Sequence, residues 1–76
     1  MSTYIGVDVA KLSMSVWVPG MAEVWTFGMD AVGRRRCCER LARFDDAHVV
    51  MEATGGYEQA LLADLVSRAI PVSLIN

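Results

Sequence analysis

Two carboxylates carry the strongest chemical signal in the sequence. Asp8 lies near the end of one apolar segment, Thr3-Tyr4-Ile5-Gly6-Val7-Asp8-Val9, and Glu52 ends a second, His48-Val49-Val50-Met51-Glu52, 44 residues later. A hard cation such as Mg2+, or Mn2+ in its place, binds through one or two protein carboxylates, keeps several waters and accepts phosphate oxygens. Two such ions about 3.5–4 Å apart activate an attacking oxygen and stabilise a leaving one in phosphodiester chemistry. Taken singly, each acid also has a plain reading as a solvated residue at a strand end, as most Asp and Glu are. Asp8 stands out because Ile5, Val7 and Val9 surround it in a segment expected to be a central strand.

Other residues near this pair offer phosphate chemistry of their own. Thr54-Gly55-Gly56 follows Glu52 and precedes a helical pattern, so free amides there can hold a phosphate at the positive helix end. A tight turn that uses glycine's permissive backbone explains the same residues. Lys11, in the loop after Asp8, is either a phosphate contact or an ordinary exposed lysine. Arg34-Arg35-Arg36 suits contacts to a nucleic-acid backbone, and equally a solvated helix face. His48 has no Cys or His at ligand spacing and is expected at a surface or edge. Cys37 and Cys38 are expected to pack as small apolar residues, with no base beside them.

The elements that must position these residues follow from periodicity. Residues 3–9 and 12–18 alternate apolar and polar, the period of a half-buried strand. Pro19-Gly20 is a turn, and Met21 to Phe27 is expected as a third strand. Links as short as Ala10-Lys11 and Pro19-Gly20 permit only antiparallel pairing. Asp30 is an expected N-cap for a helix running through Arg43, with Cys37, Cys38, Leu41 and Phe44 on its apolar side. Residues 48–51 form a buried strand ending in Glu52. Tyr57 to Ala69 is expected as a second helix with Leu61, Leu62, Leu65, Val66 and Ala69 inward. Pro71 stops it, and Val72 to Ile75 begins a last strand. The order β-β-β-α-β-α-β places the last two strands behind helical crossovers, hence in parallel pairs, and gives a mixed five-stranded α/β sheet. Sites in open α/β sheets lie at the carboxyl ends of strands, where Asp8 and Glu52 both fall.

Composition narrows the class. With 76 residues and 54% hydrophobic content, the chain is one small domain that is not disordered. No apolar run reaches the ~20 residues of a membrane helix, and the start lacks the layout of a signal peptide. A net charge of −2 argues against nucleic-acid binding by bulk charge, though not against a local basic patch. The two adjacent cysteines are badly placed to bridge each other, so a cytoplasmic chain with reduced thiols is expected. So apolar a sequence at this length is also expected to be a piece of something larger.

The stretches YIGVDVAKLSMSVWV and VVMEATGGYEQALLADLVSRAIPVSLIN closely resemble the N-terminal region of the Piv/MooV-type DEDD transposases and DNA invertases of bacterial insertion sequences. The resemblance covers nearly the whole chain and is weakest between Gly28 and Ala47. It implies an RNase H-like, RuvC-like domain cut before its C-terminal helices, a fold that agrees with the element order above. It further implies that Asp8 and Glu52 are the first two acids of a four-acid site for Mg2+ or Mn2+, the other two aspartates and a nucleophilic serine lying downstream. DNA is the implied substrate, an element-encoded guide RNA is a partner in some members, and a homo-oligomer is expected. On this reading the fragment alone is inactive. Two rival readings remain at the level of sequence. One is an ATP-binding fragment of the sugar kinase, actin and chaperone class, whose first hairpin also has a G-x-D-x-x pattern. The other is a non-enzymatic oligomerisation module using an uncovered apolar sheet face.

Overall fold

The computed structural model describes residues 2–76. The elements are β1 (Thr3–Val9), β2 (Ser13–Trp17), β3 (Trp25–Gly28), α1 (Ala31–Leu41), β4 (Ala47–Glu52), α2 (Gln59–Ser67) and β5 (Val72–Ile75), in the expected order. They form one mixed sheet ordered β3-β2-β1-β4-β5. The β1–β2 and β2–β3 pairs are antiparallel, and β1–β4 and β4–β5 are parallel. Parallel neighbours need long crossovers, which α1 and α2 supply. β1 is therefore the central strand, as its run of branched residues suggests.

Both helices cover the same face of the sheet. Ile5, Val7 and Val9 of β1, Met14 and Val16 of β2, and Val49 and Met51 of β4 are buried with Cys37, Cys38 and Leu41 of α1 and Leu61 and Leu65 of α2. The opposite face carries Tyr4, Gly6, Asp8, Trp17, His48, Val50 and Glu52 and has no helix upon it. Alternation with period two produces this division: each strand sends one set of side chains to the core and the other to the open side.

Asp30 caps α1, its Oδ1 accepting from the Gly33 N–H at 2.8 Å. Gly33 itself sits against β3's end: a Cβ there would lie 2.1 Å from the Gly28 carbonyl oxygen. That close approach lets the helix follow β3 after a linker of only Met29 and Asp30. The Arg34 guanidinium then joins α1 to α2 through Asp64, at 2.7 Å, and donates to the Met29 carbonyl.

Four expectations about the elements need correction. β3 begins at Trp25 rather than Met21: the paired register stops at Val16↔Trp25, and Met21–Val24 make no ladder pair with β2. The first helix ends at Leu41, short of Arg43, with Arg43 and Phe44 held by turns to the Arg40 and Leu41 carbonyls. α2 is shorter than Tyr57 to Ala69 at both ends, and Ala69 adopts a positive φ of 57° before Pro71. Its inward stripe is narrower too: Leu61 and Leu65 are buried and Leu62 half-buried, whereas Val66 and Ala69 are exposed.

Candidate functional site

The parallel register of β1 and β4 runs from Thr3↔Ala47 to Val7↔Met51. One residue further along each strand come Asp8 and Glu52. They therefore occupy neighbouring positions at the carboxyl ends of adjacent strands, whose spacing is about 4.8 Å. Both lie on the open face, because the partners preceding them, Val7 and Met51, are buried on the other. They share a shallow hollow of about 370 Å3 with Gly6, Trp17, Val50 and Ile75. Trp17 is opposite Gly6 in the β1–β2 register, and a Cβ on Gly6 would sit 3.8 Å from the indole. The ring forms one wall of the hollow.

Both acids are exposed, so water reaches them and a cation can bind without first being stripped of its own hydration shell. The donor set suits a hard ion such as Mg2+ or Mn2+: two carboxylates and no thiolate or imidazole nearby. It amounts to two ligands only. Among the described residues no cluster of three or more His, Cys, Asp or Glu can hold a metal ion. The one histidine lies four positions before Glu52 on β4, about 13 Å away at strand rise. There His48 Nε2 and Ser73 Oγ are 2.7 Å apart, and the ring lies 5.2 Å from that of Tyr4.

The Thr54–Gly56 loop differs from expectation. The Thr54 and Gly56 amides are not free, because the Glu58 carboxylate occupies the position where a phosphate was expected. Glu58 Oε1 accepts from the Thr54 and Gly56 N–H groups and from the Thr54 hydroxyl, while Gln59 Nε2 donates to Oε2. Glu58 is 1% exposed and is the one charged residue in the core among the described residues. The Thr54 amide foremost, then the Gly56 amide and the two side-chain donors, hold its carboxyl below the usual glutamate range, against the upward push of desolvation. An anion at the Thr54 and Gly56 amides would have to displace a built-in carboxylate. The sequence carried a signal for this, an acid at the N-terminal end of a helix four residues after a threonine, which suits the unpaired amides there.

The three consecutive arginines separate. Arg34 is engaged by the Asp64 carboxylate and the Met29 carbonyl. Arg35 is exposed beside Ser67 and Arg68. Arg36 faces a different neighbourhood, a groove beside β3. Lys11 is exposed in the β1–β2 hairpin, closed by the Ala10 N–H to Ser13 carbonyl bond. The two cysteines are buried as expected, and desolvation, with the neighbouring Cys38, pushes the Cys37 thiol up to about 12.

No family model and no curated protein matches this chain. Among the described residues no helix is long and apolar enough to cross a membrane.

Proposed function

We propose that the chain is the N-terminal part of an RNase H-like, RuvC-like domain of a DEDD-type transposase or site-specific DNA recombinase, with Asp8 and Glu52 as two of its metal ligands. One observation carries this reading: the two acids stand side by side at the carboxyl ends of adjacent parallel strands, on the face that no helix covers. The β-β-β-α-β-α-β order and mixed sheet support the fold assignment. A bound Mg2+ or Mn2+ would supply charge stabilisation for phosphodiester cleavage and transfer in DNA. Asp8 and Glu52 would hold it from one side, and the hollow between Trp17 and Ile75 leaves the other side open to a phosphate. The remaining ligands, any guide RNA and the homo-oligomer belong to the same proposal.

Paramagnetic broadening by Mn2+ in NMR spectra of the 76-residue chain tests it. Broadening is expected to centre on the amides around Asp8 and Glu52, and to disappear in D8N and E52Q without change elsewhere in the spectrum. Broadening that ignores both substitutions, or that centres on Asp45 and Asp46, refutes the metal role. Specific ATP affinity in the same preparation would favour the nucleotide-binding reading instead.

A further inference from the structure

A groove of about 570 Å3 lies away from the carboxylates, between α1 and the edge strand β3. Its walls are Trp25 and Phe27 on one side and Arg36, Arg40 and Arg43 on the other, with Glu39 between. The arginines follow at i, i+4 and i+7, so they line one side of the helix and its continuing turn over about 10.5 Å of rise. The Arg43 N–H to Arg40 carbonyl bond holds that last turn. Arg40 lies over the Trp25 ring at 4.6 Å from its centroid and 5.9 Å from that of Phe27.

These charges are unspent. Among the described residues the one ion pair is Arg34 with Asp64, so none of the three groove arginines has a carboxylate within 4.0 Å. A helix C-terminus favours a nearby cation, which accounts for one arginine but not for three converging beside an aromatic pair. Three arginines against Glu39 leave the groove strongly basic on a chain whose net charge is −2. Positive grooves floored by aromatic rings are how proteins track single strands, with phosphates on the cations and bases stacked on rings or guanidinium planes.

We propose that the groove between α1 and β3 binds a single strand of nucleic acid, its phosphates on Arg36, Arg40 and Arg43 and a base stacked on the Arg40–Trp25 pair. The rim of the groove lies on the same row of cross-strand partners as Asp8. Thr26, on its rim, is opposite Ser15, and Ser15 is opposite Asp8, on the open face of the sheet. Asp8 is thus two strand spacings away, about 10 Å. A strand leaving the groove around the β3 edge reaches the carboxylates directly. This last connection rests on the metal-site reading; binding in the groove does not.

The test is fluorescence anisotropy of a short fluorescein-labelled oligothymidylate titrated with the 76-residue chain in EDTA, where metal binding plays no part. Binding is expected to weaken linearly on a log–log salt plot with a slope of about −2, for three phosphates at ~0.7 each. R36A, R40A and R43A should each weaken binding several-fold and reduce the slope by about 0.7, while R68A changes neither. In W17F, where Trp25 is the sole indole, the oligonucleotide should quench tryptophan emission. Circular dichroism of each variant separates loss of binding from loss of fold. No binding at low salt, an effect of R68A equal to that of R43A, or unquenched Trp25 emission overturns the proposal. So does equal affinity for a duplex of the same length.

Discussion

Replacing Gly33 with alanine sets two physical effects against each other. Gly33 has a helical backbone with no positive φ, so alanine is conformationally acceptable and raises helix propensity by about 0.5–1 kcal/mol. Yet the new Cβ would lie 2.1 Å from the Gly28 carbonyl oxygen, 2.7 Å from its carbon and 2.8 Å from its nitrogen. Carbon–oxygen contacts are normally no closer than about 3.3 Å, so α1 must retreat from β3 by roughly 1 Å. These are backbone atoms and cannot swing aside as a side chain would. Retreat strains the 2.8 Å cap from the Gly33 N–H to Asp30 and lifts Cys37 and Cys38 from the core. Overpacking of this kind costs about 1–3 kcal/mol and a lost cap about 1 kcal/mol. The contact therefore wins, with a net destabilisation of about 1–3 kcal/mol. For a chain of this length, total stability is roughly 4–11 kcal/mol, so the change is large. Urea unfolding followed by tryptophan emission should show a lower midpoint, and the melting temperature should fall by at least ~4 °C. A midpoint equal to or above that of the unsubstituted chain refutes the close-approach argument and leaves helix propensity as the only effect at work.

Further outcomes follow from other sites. Because Glu58 has a carboxyl held below the ordinary range in the folded chain, its stabilising effect is complete above the unfolded-state value and is lost as pH falls through the folded one. Thermal melts of E58Q should accordingly fall below the unsubstituted chain at neutral pH and converge with it in acid; a constant gap contradicts the assignment. Native Cys37 and Cys38 should resist thiol reagents at pH 8 and react only as urea unfolds the chain, since both are fully buried and the Cys37 thiol is raised to about 12. Rapid labelling of folded protein would show that α1 opens locally. A double-mutant cycle of R34A and D64A should yield a coupling of about 0.5–1 kcal/mol that shrinks with salt, because both side chains remain partly in water. Salt-independent coupling would mean a drier α1–α2 contact than the one described.

The sequence made the strands and their order legible because Ile5, Val7, Val9, Met14 and Val16 alternate without interruption. Placement of Asp8 beside Glu52 followed from the same logic, since short links force hairpins and helical ones force parallel pairs. Boundaries set by particular partners were less legible. β-prone residues from Met21 onward predict a longer β3, but its ladder with β2 stops at Trp25. Helical periodicity likewise assigns Val66 to the core, while α2's contact with the sheet is only wide enough for Leu61, Leu65 and part of Leu62. Glu58 and Arg34 show a second limit. Whether a charged side chain turns back to a loop or across to another helix depends on where those groups lie in space, which spacing along one element does not encode. Arg40 and Arg43 stayed inconspicuous for the same reason, because their partners Trp25 and Phe27 are on a different element.

The parallel register that pairs Val7 with Met51 has a consequence for how this site can change. A strand slipped by one residue exchanges its two faces, so it would turn Asp8 or Glu52 toward Leu61 and Leu65 while exposing the branched residues beside it. Misalignment of the carboxylates and collapse of the interior are thus a single failure. Any substitution that preserves the packing of β1 on β4 also preserves the spacing of the acids, even though neither acid contributes to that packing. The geometry of the pair is in this sense inherited from the core.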